Sequence, residues 1–304
     1  MLNKLTPTQI QSKLDFIKNY ISANNAADGS IVDPNSNVTT KNVATMEAEL
    51  YKYENIQVNR AIITDKITSM FGEELAAQYL KDIQNHLIYV HDETSLKPYC
   101  ASITLYPFLF EGSKAIGGTS AAPKNLQSFC GSFVNLMYQI AGGFAGAVAT
   151  VEFLMYFDYF AKKTYGSNYL VAHTREIQQE LQSVIYSMNQ PAAARGFQSI
   201  FWNISVFDEH YFHSLFDEFY FPDGTQPDYE TLKYLQAFFM EWFRLERRKE
   251  LLTFPVVTAA YLVEDNTAKD EKFLNLLADQ MARGHSFFHY ESNSADSLAS
   301  CCRL

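Results

Sequence analysis

Short apolar segments alternate with amphipathic segments along this chain, and this alternation restricts its fold more than any other feature. Residues 200–207 (IFWNISVF) and 252–263 (LTFPVVTAAYLV) are rich in β-branched and aromatic residues and have the length of buried strands, as does the shorter run 286–290. Helical periodicity between them predicts one helix that starts at Asp228 and another over residues 270–283. Strands that alternate with helices predict an α/β fold, with helices outside a central sheet or barrel.

The preceding part of the chain is predicted to be mostly helical. Thr6-Pro7-Thr8-Gln9 has the pattern of a capping box with proline at the first helical position, so a helix is expected to begin there. Short strands are expected at residues 87–92 and 99–106. Further helices are predicted at residues 43–54, at 61–86, up to about 141, from about 146 to 163, and from Thr174. In the apolar stretch 133–151, Gly142, Gly143 and Gly146 are expected to form the small-residue contact face of a buried helix. No repeat or linker divides the chain, so residues 1–304 are predicted to form a single domain.

Composition excludes several classes of protein. The formal net charge of −10 argues against a protein that binds nucleic-acid backbones, because such affinity rests on Lys and Arg. The least polar stretch, residues 133–151, contains Asn135, Gln139 and three glycines, so no membrane span is predicted. Four cysteines in 304 residues and no apolar leader predict a reducing, cytoplasmic location.

The thiols are the candidate reactive groups. Cys301 and Cys302 are adjacent and follow the polar run 292–300. Vicinal thiols can be redox-active, or can present one thiol to a substrate while the other packs. Cys100 and Cys130 lie in apolar surroundings, where a single cysteine is more often structural.

One histidine pair has the spacing of metal ligands on a helix. His210 and His213 stand beside Asp208 and Glu209, but no third and fourth ligand follows in a suitable pattern. No metal site is therefore predicted in this chain.

Nine short motifs occur in an order that resembles a known family. They are Asn35-Ser-Asn37-Val38, Ile88-Tyr-Val-His91-Asp92, Pro98-Tyr-Cys100, Pro123-Lys124, Gly142-Gly143-x-x-Gly146, Gly196-x-Gln198-Ser199-x-Phe201-x-Asn203, Gly224-Thr-Gln-Pro-Asp228, Leu252-x-Phe254-Pro255 and Asp296-Ser-Leu-Ala-Ser-Cys301-Cys302-Arg303-Leu304. This order resembles the anaerobic, class III ribonucleotide reductases, which are glycyl-radical enzymes that convert ribonucleoside triphosphates to 2′-deoxy forms. The similarity covers nearly the whole chain.

The resemblance implies a fold and a pair of reacting thiols. The family fold is a ten-stranded α/β barrel made of two half-barrels, and this chain corresponds to the first half with its surrounding helices. Cys100 would become a thiyl radical and abstract the ribose 3′-hydrogen. Cys301 or Cys302 would lie on the opposite face and take part in reduction at C2′; Cys302 is favoured because the family motif places arginine directly after the thiol. A rigid barrel strand can hold a thiol against one C–H bond, which a loop cannot.

The resemblance also assigns residues to nucleotides. Its substrate-binding positions match His91, Asp92, Gln198, Ser199 and Asn203, although the last three would equally suit buried groups satisfied by nearby backbone. Its binding region for the specificity-setting deoxynucleotide matches Lys124 and Asn135, at a dimer interface formed by the helices near residues 124–163.

Parts of the family pattern have no match in this sequence. These are the N-terminal nucleotide-binding cone, the second half-barrel, the Arg-Val-x-Gly-Tyr glycyl-radical motif and a cysteine-rich zinc site. The expected function is therefore one half of a split reductase that carries no cofactor of its own. A complementing C-terminal chain would supply the glycyl radical and the zinc, a radical-SAM iron–sulfur enzyme would activate that chain, and formate or a thiol protein would be the reductant.

Two alternatives stay open. One is another glycyl-radical enzyme of the pyruvate formate-lyase type, although its paired cysteines are radical carriers in mid-chain, whereas Cys100 lies far upstream of Cys301. The other is a non-catalytic remnant that only dimerises or binds nucleotide.

Overall fold

The chain was analysed as a computed structural model that describes residues 5–22, 43–90, 93–114, 118–192 and 198–295. Its residues divide into two compact units, 1–98 and 99–304, and each is described by itself. The single domain expected from the sequence remains a prediction.

The first unit is helical in its described part. Its helices are α1 (Pro7–Ser22), α2 (Val43–Leu50), α3 (Lys52–Phe71) and α4 (Glu73–Gln84). The predicted capping box is confirmed at the start of α1, where Gln9 N donates to Thr6 Oγ1 and Thr6 N donates to Gln9 Oε1. The predicted helices 43–54 and 61–86 instead appear as three helices, with breaks at Tyr51 and Gly72.

The predicted strand at residues 87–92 is wrong over the four residues described. Leu87 and Tyr89 are 74% and 83% exposed, and no strand forms there. The amide of Leu87 donates instead to Asp82 O, and that of His86 to Ile83 O, which together end α4 in a Schellman motif around the positive φ of His86. These bonds use the donors that a strand would need.

The second unit is built on a parallel sheet. Strands β1 (Ala101–Ser102), β2 (Val148–Ala149), β3 (Trp202–Phe207), β4 (Val256–Glu264) and β6 (Phe288–Ser292) lie side by side in that order, and all neighbours are parallel. The short β5 (Thr267–Ala268) folds back on the end of β4. The long strands pair Ser205 with Thr258, and Thr258 with Phe288.

Helices connect the strands and pack against the sheet. They are α5 (Tyr106–Glu111), α6 (Leu126–Ala141), α7 (Phe153–Tyr165), α8 (Tyr169–Ala172), α9 (Thr174–Met188), α10 (Glu209–Phe216), α11 (Tyr229–Glu246) and α12 (Glu271–Ala282). The α/β prediction is confirmed, as are the strands predicted at 200–207, 252–263 and 286–290, although β4 begins at Val256, four residues later than predicted. Asp228 and Asp270 cap α11 and α12, as local sequence indicates.

An aromatic core fixes the helices on the sheet. Trp202 on β3 packs between Phe133 of α6 and Phe153 of α7, with ring centroids 5.4 Å and 4.9 Å away. Its indole N–H donates to Thr150 Oγ1 at 2.8 Å, which satisfies the buried donor. Because side chains alternate along a strand, Asn203 and Ser205 face the other side of the sheet.

The predicted helix from residue 146 is corrected by this arrangement. Residues 148–149 form β2, and α7 begins only at Phe153. Gly142, Gly143 and Gly146 therefore lie in the connection from α6 to β2 and do not form the contact face of a buried helix. Throughout the described ranges, no helix is both long and apolar enough to cross a bilayer.

Candidate active site at the amino ends of the strands

Cys100 stands directly before β1, at the amino end of the sheet. The flanking main chain is held on β2, since Ala101 N donates to Ala147 O and Ile103 N to Ala149 O, each at 3.0 Å. The thiol is half-buried. Side-chain alternation places it on the same face of the sheet as Ser102, which lies level with Ala149 and Asn203.

The sulfur of Cys100 lies against the turn that enters β2. Ala147 N donates a hydrogen bond to Sγ over 3.2 Å, and Gly146 N donates to Tyr99 O over 2.5 Å. The main chain on each side of Cys100 is therefore hydrogen-bonded to the segment that enters β2. A hydrogen bond to sulfur favours its charged form, the thiolate.

Asn203 lies two strands away from Cys100, about 10 Å by strand spacing. It is fully buried, and its Nδ2 donates to Val256 O at 2.9 Å and to Thr258 Oγ1 at 3.0 Å. Its Oδ1 has no hydrogen-bond partner among the described residues. The side-chain amide thus links β3 to β4, and its oxygen can still accept a hydrogen bond.

Gln198 and Ser199 lead into β3 at the same end of the sheet. Ser199 is fully buried, and its hydroxyl donates to Asn189 O at 3.0 Å. Gln198 is half-buried, and its carbonyl accepts from Ala192 N at 2.9 Å. These bonds fit the structural role that the sequence leaves open for both residues, and their contact with substrate stays a prediction.

Asn189 anchors this end of the sheet, and the sequence patterns did not single it out. Its Nδ2 donates to Phe254 O at 2.7 Å, and its Oδ1 accepts from Phe254 N at 3.0 Å. One side chain thereby imitates a pairing strand at the entry to β4. Asparagine next to the end of a predicted helix was the available signal, but the partner lies 65 residues further on.

Four predicted site residues lie outside the described ranges. They are His91, Asp92, Cys301 and Cys302. Their roles stay predictions.

The predicted effector residues lie at the two ends of an exposed strip on α6. Lys124 precedes the helix and Asn135 lies in its third turn; both are exposed. Asn135 follows Leu126 by nine helical steps, or roughly 14 Å, which is too far for one phosphate group to contact both ends. Two of the first three amides of α6 are already used, since Ser128 N donates to Asn125 Oδ1 and Leu126 N to Thr164 Oγ1.

The carboxyl ends of the strands hold two buried acids. Asp208 follows β3 and accepts from Tyr211 N at 2.6 Å and from Leu262 N at 3.2 Å. Glu152 follows β2 and accepts from Thr104 Oγ1 and Leu105 N, each at 3.0 Å. Burial raises the pKa of both carboxyl groups above their ordinary values, although these donors oppose the effect.

The remaining candidates have local explanations. His213 Nδ1 lies 2.6 Å from Asp217 Oδ1, one helical turn away. Among the residues whose placement is described, no group of three or more His, Cys, Asp or Glu side chains is placed to hold a metal ion. Burial raises the pKa of the Cys130 thiol well above its ordinary value, as suits a structural cysteine on α6.

The second unit is a parallel α/β half-barrel that carries a thiol directly before its first strand, at the amino ends of the strands. This combination defines the class of the protein. The family model for anaerobic ribonucleoside-triphosphate reductase matches residues 47–304, and the chain belongs to that family. No curated protein sequence matches it.

Solved structures support the assignment. A structure described as anaerobic ribonucleotide reductase aligns with 98% of this chain at 26% identity and a TM-score of 0.80, and 46% of its own length is covered. The Thermotoga maritima anaerobic ribonucleotide reductase in complex with dATP and CTP aligns with the whole chain at 25% identity and a TM-score of 0.77, with 53% of its length covered. The same enzyme with citrate in the active site gives 27% identity and a TM-score of 0.76. The fold prediction is thus confirmed, and the chain spans about half the length of these relatives.

Proposed function

We propose that this chain is part of an anaerobic ribonucleotide reductase that reduces ribonucleoside triphosphates to 2′-deoxyribonucleoside triphosphates by thiyl-radical chemistry. The observation that carries the proposal is the position of Cys100 within a chain of this family. Its thiol lies directly before β1, on main chain that is hydrogen-bonded to the segment entering β2, and that rigidity is what attack on a single ribose position requires.

Cys100 is proposed to act on the ribose together with Cys302 or Cys301. The family resemblance gives hydrogen abstraction at C3′ to Cys100 and reduction at C2′ to the terminal pair. The hydrogen bond from Ala147 N favours the opposite division of labour, because it stabilises the thiolate that a two-electron reductant uses. The two assignments predict different behaviour for a variant that lacks the Cys100 thiol. Cleavage of the 3′ C–H bond is lost if Cys100 abstracts the hydrogen and is retained if Cys100 is the reductant.

The substrate side of the proposed cleft is formed at the amino ends of the strands. Gln198, Ser199 and Asn203 would border the ribose there, together with His91 and Asp92. The unpartnered Oδ1 of Asn203 supports this, because it leaves an acceptor for a ribose hydroxyl once the site is assembled.

A second polypeptide is proposed to complete the enzyme. The chain spans about half the length of the solved relatives. The complementing chain would bring the glycyl radical and a structural zinc, a radical-SAM iron–sulfur enzyme would generate the radical, and formate or a thiol protein would be consumed. We place the assembly in the cytoplasm.

Deoxynucleotides are proposed as regulators that bind near α6. The Thermotoga maritima relative was solved with dATP and CTP. Lys124 and Asn135 would contact such a ligand from the exposed strip of α6. Most of α7 is buried, so the proposed homodimer would form mainly through this strip.

Anaerobic reconstitution tests the proposal. The chain, the complementing chain and the activating enzyme are combined, and deoxynucleotide formation is measured for the parent, Cys100→Ser and the matched control Cys130→Ser. We expect Cys100→Ser to abolish product and Cys130→Ser to retain it, since Cys130 is buried on a helix. Full activity of Cys100→Ser would refute the mechanism, and an inactive parent would favour the non-catalytic remnant.

A labelled substrate then separates the two roles of Cys100. Substrate with tritium at C3′ is incubated with the Cys100→Ser enzyme. If Cys100 abstracts the hydrogen, release of tritium should stop. If Cys100 is the reductant, tritium should still be released while the deoxynucleotide is not formed.

A further inference from the structure

Gly146 lies directly against the Cys100 side chain. A Cβ at position 146 would lie 2.8 Å from Cys100 Sγ, 2.8 Å from Tyr99 O and 3.1 Å from Tyr99 Cζ. These separations are shorter than van der Waals contact permits. Any residue with a side chain would therefore collide with the segment that carries the thiol.

Space, not backbone conformation, is what requires glycine here. Gly146 is not among the glycines with positive φ, so its backbone would suit other residues. Gly131, in contrast, has nothing within 4 Å of an added Cβ, and Gly143 would meet only Ile140 O at 3.3 Å. The close approach to a thiol distinguishes Gly146 from these neighbours.

Of the two atoms at 2.8 Å, the sulfur can move more easily than Tyr99 O. Tyr99 O already accepts the Gly146 amide at 2.5 Å, so the main chain on that side is held in place. Cys100 Sγ can rotate about its Cα–Cβ bond into another staggered position. That rotation would carry it away from Ala147 N, which now lies 3.2 Å from it.

We propose that Gly146 is a positioning residue for the Cys100 thiol. Because residue 146 has no side chain, the sulfur can pack against the turn into β2 and accept a hydrogen bond from the Ala147 amide. This inference rests on the proposed function in one respect, namely that Cys100 is a reacting thiol.

Alkylation of the full chain tests the positioning without any turnover. Cys301 and Cys302 are first replaced by serine, which leaves Cys100 and the buried Cys130. The rate of reaction of Cys100 with iodoacetamide is followed from pH 6 to 10 by peptide mass spectrometry. In Gly146→Ala we expect the midpoint of the profile to move to higher pH and the rate at pH 7 to fall about tenfold, the effect of one lost hydrogen bond to the charged form.

Gly131→Ala is the matched control, because it adds the same methyl group where nothing is within 4 Å. Its alkylation profile should equal that of the parent. A Gly146→Ala profile that also equals the parent's would overturn the proposal.

A double-mutant cycle covers the case in which Gly146→Ala fails to fold. The variant is made again in a Cys100→Ala background, where the sulfur is gone, and thermal unfolding is measured. If the clash is with the sulfur, this background should restore folding or reduce the loss of stability. An equal loss in both backgrounds would place the clash on the Tyr99 backbone and overturn the proposal.

Turnover separates this inference from the proposed function. In the reconstituted enzyme we expect Gly146→Ala to lower kcat about 100-fold with little change in KM, because the thiol and not the nucleotide is displaced. An inactive parent would count against the proposed function and leave the alkylation result standing. An active parent with unchanged kcat in Gly146→Ala would count against the positioning role alone.

Discussion

The two ends of the parallel sheet use buried polar groups in different ways. At the carboxyl ends, Glu152 and Asp208 accept main-chain N–H groups and fasten the segments that follow the strands. At the amino ends, Asn189 performs a similar task at β4, whereas Cys100 Sγ accepts the Ala147 N–H and lies against Gly146. At one end the buried polar groups are hydrogen-bonded to the main chain, and the other end also holds a half-buried thiol.

The proposed site at the amino ends would reverse the usual arrangement of open α/β sheets, whose ligands bind outside the carboxyl ends of the strands. In this chain the carboxyl ends are closed by Asp208, which is fully buried, and Glu152, which is 5% exposed. The comparison teaches that substitutions at the carboxyl ends should mainly change stability. Substitutions around Cys100 should change chemistry first.

The largest expected loss of stability is for Asp208→Ala at the carboxyl ends. The change removes the cap of α10 and leaves the buried amide of Leu262 without its acceptor. We expect the free energy of unfolding to fall by about 3 kcal/mol, the sum of a cap and an unsatisfied buried donor. Urea denaturation followed by circular dichroism measures it.

Asp270→Ala is the matched control for that experiment. Asp270 caps α12 by accepting from Phe273 N, but it is only half-buried, and within the described part of the chain it makes no hydrogen bond to a second strand. Its loss should lower the free energy of unfolding by about 1 kcal/mol. Equal effects of the two substitutions would show that the bond to β4 adds nothing.

The amino end should lose less stability when its anchor is removed. Asn189→Ala breaks the paired bonds to the main chain of Phe254 and should lower the free energy of unfolding by about 2 kcal/mol. Hydrogen exchange of the Phe254 amide should also become faster. Asn168→Ala, at an exposed asparagine whose side chain makes no capping bond, is the control and should have almost no effect. An unprotected Phe254 amide in the parent would contradict the anchoring role.

The same contrast explains what sequence could predict. Helix starts at Thr6, Asp228 and Asp270 followed from signals within four residues, and the structure confirms all three. The strand expected at residues 87–92 is wrong because a strand depends on distant partners, and the Leu87 amide closes a helix instead. The two-residue β2 was missed for the same reason, since only pairing defines it.

The candidate site divides in the same manner. Cys100 could be found from its motif, and the family assignment agrees with the order of motifs. The hydrogen-bond partners at this end of the sheet could not be found from the sequence. Ala147, which bonds Cys100, is 47 residues away from it, and Phe254, which bonds Asn189, is 65 residues away. The sequence indicates Gly146 as part of a glycine motif, but only the structure shows that its Cα lies against the Cys100 sulfur.

The smallest expected effect is a change in pH dependence at the carboxyl ends. Burial raises the pKa of Glu152 above the ordinary 4.5, so the folded chain prefers the protonated acid. A raised pKa contributes stability below the ordinary value and loses it as pH rises through the folded-state value. In Glu152→Gln this loss should be absent, because the amide cannot ionise and its carbonyl can still accept the Leu105 amide.

Urea midpoints of parent and Glu152→Gln between pH 4 and 8 measure that difference. The parent should lose stability relative to the variant as pH rises, and the gap should stop changing once Glu152 is fully ionised. Asp208 contributes in the same direction in both chains, since burial also raises its pKa, and it therefore cancels in the comparison. A gap that is constant over the whole range would mean that Glu152 titrates normally in the fold. In that case the carboxyl end would be more hydrated than its burial indicates, and the contrast with the amino end would be weaker.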